Sequence, residues 1–167
     1  NIFNEAFGQP TSIDIAFDTD AKEYYFCEFK FTEAEFGGCS VFAEGDCDGR
    51  NPSKNFRLCL LHSLGRKYWD LMEKHNLLTP KVIDDSRCAF MDLYQAYRVL
   101  LFALENQGQF ILIYDQRNPT FYNDTIHGPR GLYPRFLEYL PDSVEERCHL
   151  ISTQEILKVI ESLVTDN

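Results

Sequence analysis

Two carboxylates and one ammonium interrupt a stretch that otherwise reads as core. The segment "SIDIAFDTDAKEYYFCEFKF", residues 12–31, places Asp14, Glu28 and Lys30 among apolar side chains. Oxygen ligands of this kind suit Mg²⁺ or Mn²⁺, with water in the remaining positions. An ammonium two residues from a carboxylate can hold an attacking water, or the charge that develops at a phosphoryl centre. The shared chemistry would be metal-assisted hydrolysis.

Two strands would have to position these groups. Ile13–Thr19 reads as one strand, Asp18–Lys22 as a turn and Glu23–Thr32 as the returning strand. Side chains alternate faces with period two, so Glu28 and Lys30 share a face with Phe26, while Cys27, Phe29 and Phe31 line the other. Asp14 lies on the neighbouring strand, on one face with Ala16 and Asp18. Two carboxylates meeting across a hairpin repel, and partial burial makes their ionisation costly. A bound divalent cation removes that cost. The plainer alternative is a solvent-facing strand with a Glu28–Lys30 surface pair.

Further along, apolar residues at 61, 64, 68, 71, 72 and 75 predict a helix over 61–77, with Pro80 as a break. Cys88–Asn106 is the strongest helix, with Phe90, Leu93, Tyr97, Leu100, Leu101 and Leu104 on one stripe and Gly108 as its end. "QFILIYD" reads as a fully buried strand. Residues 119–141 read as irregular and "CHLI" as a short strand. Ser152-Thr-Gln-Glu155 is a capping box opening a last helix to about Leu163. Tyr68 and Trp69 read as core. The expected architecture is α/β, one domain over 1–167, with a central mixed sheet flanked by helices.

Asp14, thirteen intervening residues and then Glu28-Phe29-Lys30, on consecutive strands, resembles the PD-(D/E)XK nuclease superfamily with its restriction-endonuclease-like fold. The resemblance covers roughly residues 12–32 and 88–115 and is reminiscent of a bacterial branch. It implies an α-β-β-β-α-β core and a Mg²⁺- or Mn²⁺-dependent endodeoxyribonuclease of restriction, defence or repair type. Asp14, Glu28 and the Phe29 carbonyl would hold the metal, and Lys30 would position or activate water. The helix after the motif can supply a glutamine or a basic group in such proteins, which points to Gln95 as catalytic and Arg98 as nucleic-acid-binding. The alternative is a catalytically vestigial domain of the same fold serving DNA binding or protein assembly. A homodimer and a cytoplasmic location are further expectations.

The chain departs from the family pattern in three respects. Pro10, not the residue before Asp14, is the nearest upstream proline. No first helix precedes the hairpin, and Glu5 is the only upstream acid, so an N-terminal helix or region is expected to be missing from a chain that begins at Asn1. Residues 33–87 would be an insertion of loop and helix.

A net charge of −10 argues against general nucleic-acid or anionic-membrane binding, yet its distribution is uneven. Residues 1–48 hold eleven carboxylates against Lys22 and Lys30, while residues 49–68 hold Arg50, Lys54, Arg57, Arg66 and Lys67 with no carboxylate. That strip is the candidate DNA phosphate contact. No apolar run reaches the ~20 residues that span a bilayer, so no membrane partner is expected.

Six cysteines without a CxxC suggest free or metal-bound thiols in a reducing compartment. Cys39, Cys47 and Cys59 punctuate the polar loop, and a structural Zn²⁺ could take them with His62 or Cys88 as fourth ligand. An iron–sulfur cluster would be a second form, and ordinary buried cysteines the plain one, giving a metal-stabilised interaction domain as a third class of function. Glu33 or Glu35 could be a further ligand of the first site. His62, His75, His127 and His149 are scattered and expected to be structural.

Overall fold

The computed structural model describes residues 2–5, 10–122 and 131–165. His127 and part of the stretch 119–141 lie outside the described residues. The elements run β1 (Ile15–Asp18), β2 (Tyr24–Lys30), α1 (Ser40–Ala43), α2 (Leu60–Ser63), α3 (Tyr68–Lys74), α4 (Pro80–Asp84), α5 (Phe90–Glu105), β3 (Gln109–Tyr114), α6 (Leu132–Leu137), α7 (Asp142–Glu145), β4 (Cys148–Ser152) and α8 (Thr153–Thr165).

The strands form one mixed sheet in the order β1-β2-β3-β4. β1 and β2 are the antiparallel hairpin, in a register that pairs Ile15 with Cys27 and Asp18 with Tyr24. β3 and β4 are parallel to β2, with Glu28 beside Leu112 and Lys30 beside Tyr114. A parallel return needs a crossover, and α5 supplies it between β2 and β3. Its stripe, with Tyr97, Leu100 and Leu101 fully buried, packs with Phe26, Phe110 and Leu112 in the main core. The other sheet face carries Cys27, Ile111 and Ile113, against which Phe29, Ile151 and Ile156 pack.

Local chemistry sets the ends of these elements. The capping box closes as expected: Glu155 N–H donates to Ser152 Oγ at 3.2 Å, and Ser152 N–H donates to Glu155 Oε2 at 2.8 Å. The helix expected over 61–77 is two helices, because Gly65 at φ +87 takes the left-handed cap. Arg66 N–H reaches Leu61 O and Gly65 N–H reaches His62 O, both at 2.9 Å, which terminates α2. Residues expected to be irregular after Pro119 include α6, whose Leu132, Tyr133 and Phe136 are buried. That helix is too short for its periodicity to stand out.

Candidate active site

β2 carries Glu28 and Lys30 onto the face covered by α5, where they are 1 % and 5 % exposed. A surface ion pair is therefore not what the hairpin builds. Lys30 Nζ lies 3.2 Å from Glu28 Oε1 and donates to Gln95 Oε1 at 2.7 Å. Glu33 stands at the edge of the same group, 4.0 Å from Lys30 Nζ. The strand thus contributes a carboxylate and an ammonium, and the crossover helix contributes an amide.

Asp14 immediately precedes β1, exposed, and its Oδ2 accepts the Phe29 N–H at 2.9 Å. That bond ties the carboxylate to the backbone of the motif itself. The Phe29 ring points to the opposite sheet face, so only its main chain belongs to the site. Burial pushes the Glu28 carboxyl up to about 7; Lys30 opposes the shift and the Asp14 charge adds to it. Glu28 Oε2 is buried with no hydrogen-bond partner. A buried carboxylate oxygen left in this state is costly, and a cation or a proton would satisfy it. Carboxylate oxygens are the ligand chemistry of Mg²⁺ or Mn²⁺, but among the described residues no three His, Cys, Asp or Glu side chains are placed to hold a metal ion.

Gln95 owes its position to a close approach that the sequence signals only as "FGG". α5 is kinked at Leu93, and the Tyr94 N–H there donates to Gly37 O at 3.2 Å. Cys39 N–H donates to Met91 O at 3.3 Å. A Cβ on Gly38 would stand 2.6 Å from Met91 O, and one on Gly37 3.3 Å from Gln95 Oε1. The two glycines let the chain after β2 lie against the start of α5.

One helical turn beyond Gln95, Arg98 belongs to a second polar network. It donates to Thr11 Oγ1 at 2.8 Å and to Glu5 Oε1 at 3.2 Å, and lies 5.0 Å from the Tyr94 ring centre. Burial raises the Glu5 carboxyl, but the Tyr68 hydroxyl, Thr11 and Arg98 outweigh it and hold it below its usual value. Tyr68, expected only as core, thus donates to Glu5 and accepts from Tyr94 at 3.0 Å. Tyr68, Tyr94, Gln95, Arg98 and Arg66 line a cleft of about 400 Å³.

Of the basic strip, Arg66 is among the residues lining this cleft. Arg50 pairs with Asp48 at 3.0 Å, and Lys54 with Asp84 at 3.9 Å. Arg66 reaches the cleft and donates to Asn4 O at 2.9 Å. Arg57 and Lys67 are exposed. Glu35 is exposed, and of the other described histidines His75 contacts Glu105 at 2.6 Å and His149 contacts Gln109 at 3.2 Å. A residue the sequence reading passed over, Asp115, ends β3 and is gripped by Arg117 and Gln154. The Asp115 N–H faces Lys30 O at 3.4 Å, so that grip steadies the end of the motif strand.

No helix among the described residues is long and apolar enough to cross a membrane. The family model described as restriction endonuclease associating with ARP matches residues 2–167. No curated protein and no solved structure matches the chain.

Proposed function

The chain belongs to the family of the restriction endonuclease associating with ARP, and on that premise we propose that it is a metal-dependent nuclease hydrolysing DNA phosphodiester bonds. The observation that carries the reading is the Glu28–Lys30–Gln95 group, whose carboxylate and ammonium are buried, with Asp14 fixed to the Phe29 N–H beside it. A vestigial domain would have no reason to keep an unpartnered carboxylate oxygen in its interior.

Asp14, Glu28 and the Phe29 carbonyl are the residues that would hold Mg²⁺ or Mn²⁺. The bound cation would supply Lewis-acid charge at the phosphate and acidify a water. Lys30, held between Glu28 and Gln95, presents an ammonium whose remaining hydrogen can orient the nucleophile or offset phosphate charge. Gln95 restrains the ammonium and keeps it from collapsing fully onto Glu28. Arg66 at the cleft, with exposed Arg57 and Lys67, supplies phosphate attraction in an otherwise acidic chain.

Association with a protein partner, which the family description names, suits a second surface. Ile15 and Phe17 of β1, Phe31, and Leu157, Ile160 and Leu163 of α8 are all exposed. We assign the exposed apolar side chains of α8 to the ARP partner.

The test is incubation of plasmid and single-stranded DNA with Mg²⁺ or Mn²⁺ over a salt series, with Glu28→Ala alongside. Cleavage by the parent that falls with salt and is lost in Glu28→Ala is the expected result. Equal cleavage by both proteins, or none by the parent even with its partner present, would sink the reading.

A further inference from the structure

Four cysteines that are distant in sequence ring one small cavity beneath the segment between β2 and α5. Cys39 precedes α1, Cys47 follows it, Cys59 precedes α2, and Cys88 precedes α5. All four line the same pocket, whose other walls include Trp69 and Phe90. None is in a disulfide. The enclosed space is about 20 Å³, room for a single water-sized body and too small for a multi-metal cluster. The two candidates for a fourth ligand separate here: Cys88 reaches the cavity, whereas His62 lies against the Phe56 ring, 3.9 Å from Asp70.

The backbone around these sulfurs is arranged for negative charge. Gly49 N–H points at Cys47 Sγ, 3.4 Å away. The N–H groups of Val41 and Phe42 face the Cys39 sulfur, and that of Phe90 faces Cys88. The Cys47 sulfur thus accepts a backbone hydrogen bond from the residue two positions on, and backbone N–H groups also lie near the Cys39 and Cys88 sulfurs. Such bonds contribute little to a neutral thiol, a weak acceptor, and much more to a metal-bound thiolate.

We propose that Cys39, Cys47, Cys59 and Cys88 form a four-thiolate site for one soft tetrahedral ion, zinc, that staples the segment between β2 and α5. The four cysteines line one cavity, but among the described residues no three His, Cys, Asp or Glu side chains are placed to hold a metal ion as they stand. Ligation therefore requires the four cysteine side chains to converge on one point. Each thiol that binds gives one proton to solvent, four for one ion, and the product carries the charge that the N–H groups face. The segment needs such a staple, because α1 and α2 are only four residues each. The site uses none of the residues assigned to DNA hydrolysis, so it stands or falls separately.

The test uses the full chain, purified and then incubated with Zn²⁺ or Co²⁺ and desalted. Expected are one equivalent of zinc, proton release on uptake, intense cobalt–thiolate absorption in the visible, and a lower melting temperature after chelation. Cys47→Ser and Cys59→Ser should each weaken zinc binding at least about tenfold. Cys27→Ser and Cys148→Ser, which change cysteines outside the cavity, should keep the full equivalent. Parent protein that retains substoichiometric zinc and shows no cobalt–thiolate bands overturns the site, and so does iron with acid-labile sulfide in place of zinc.

Discussion

Glu28 makes the metal-free protein sensitive to pH. Its carboxyl is raised from 4.5 to about 7, first by burial, against Lys30 and with help from Asp14. A carboxyl held above its unfolded value binds its proton more tightly in the folded state. The stability it contributes is complete below about 4.5 and is lost as pH climbs through about 7. Across that window the cost is about 3 kcal/mol, at 1.36 kcal/mol per unit. Glu28→Gln keeps the shape and removes the charge. In chelator, the variant should unfold at a higher urea midpoint than the parent at about pH 8 and at a similar one near pH 4.5. Parallel pH slopes for the two proteins would show that Glu28 is not desolvated as described. The same residues explain what was legible in advance. Asp14, Glu28 and Lys30 declare themselves through the two-residue period of one hairpin, a local signal. Glu5, Tyr68 and Arg98 do not, since 63 and 93 positions separate Glu5 from its partners.

At the scale of elements, the turn from α5 into β3 decides how closely the crossover helix lies on the motif strand. Gly108 reads as the residue that stops the helix, but the left-handed position is Gln107, at φ +55. Gly108 N–H donates to Ala103 O at 2.8 Å, and Gln107 N–H donates to Leu104 O at 3.1 Å, completing the cap. Glycine is needed at 108 for a different reason: a Cβ there would stand 2.5 Å from the Phe26 ring and 2.7 Å from Tyr24 O. Gly108→Ala should therefore destabilise by about 1–3 kcal/mol through forced separation of α5 from β2. Gln107→Gly relieves a left-handed side chain and should stabilise by up to about 1 kcal/mol. Denaturant midpoints of the two variants, compared with the parent, check both signs. A neutral Gly108→Ala would mean that β2 and α5 can part without cost. The break at Gly65 was hidden for a related reason. Apolar spacing continues through 64, 68 and 71, and periodicity cannot report the one residue at which the backbone turns left-handed.

At the scale of the molecule, the described residues cover the two sheet faces unequally, and that asymmetry is where partner association is to be tested. α5 and the main core bury one face, with Phe110 and Leu112 fully inaccessible. Among the described residues, the other face carries a small cluster, to which α8 contributes Ile156. Helical spacing puts Ile160 and Leu163 on the same stripe as Ile156, yet they are 50 % and 63 % exposed. Among the described residues, the stripe thus begins on the sheet and continues onto exposed positions. Across the hairpin, Ile15 and Phe17 face the same side, 46 % and 45 % exposed, with Phe17 stacked on Tyr25 at 5.1 Å. An apolar face of this kind on a chain with net charge −10 is more consistent with a protein partner than with anionic phosphate. Ile160→Glu with Leu163→Glu should weaken binding of the ARP partner by at least about tenfold, because charges on both anchors must be desolvated. The variant should melt close to the parent, since neither side chain is buried in the chain alone. Titration calorimetry against the partner measures the loss, and sedimentation of the chain by itself reports any second copy on the same face. Undiminished partner affinity would move the association elsewhere. A parent that dimerises through these two residues without its partner would give the face to a second copy of this chain.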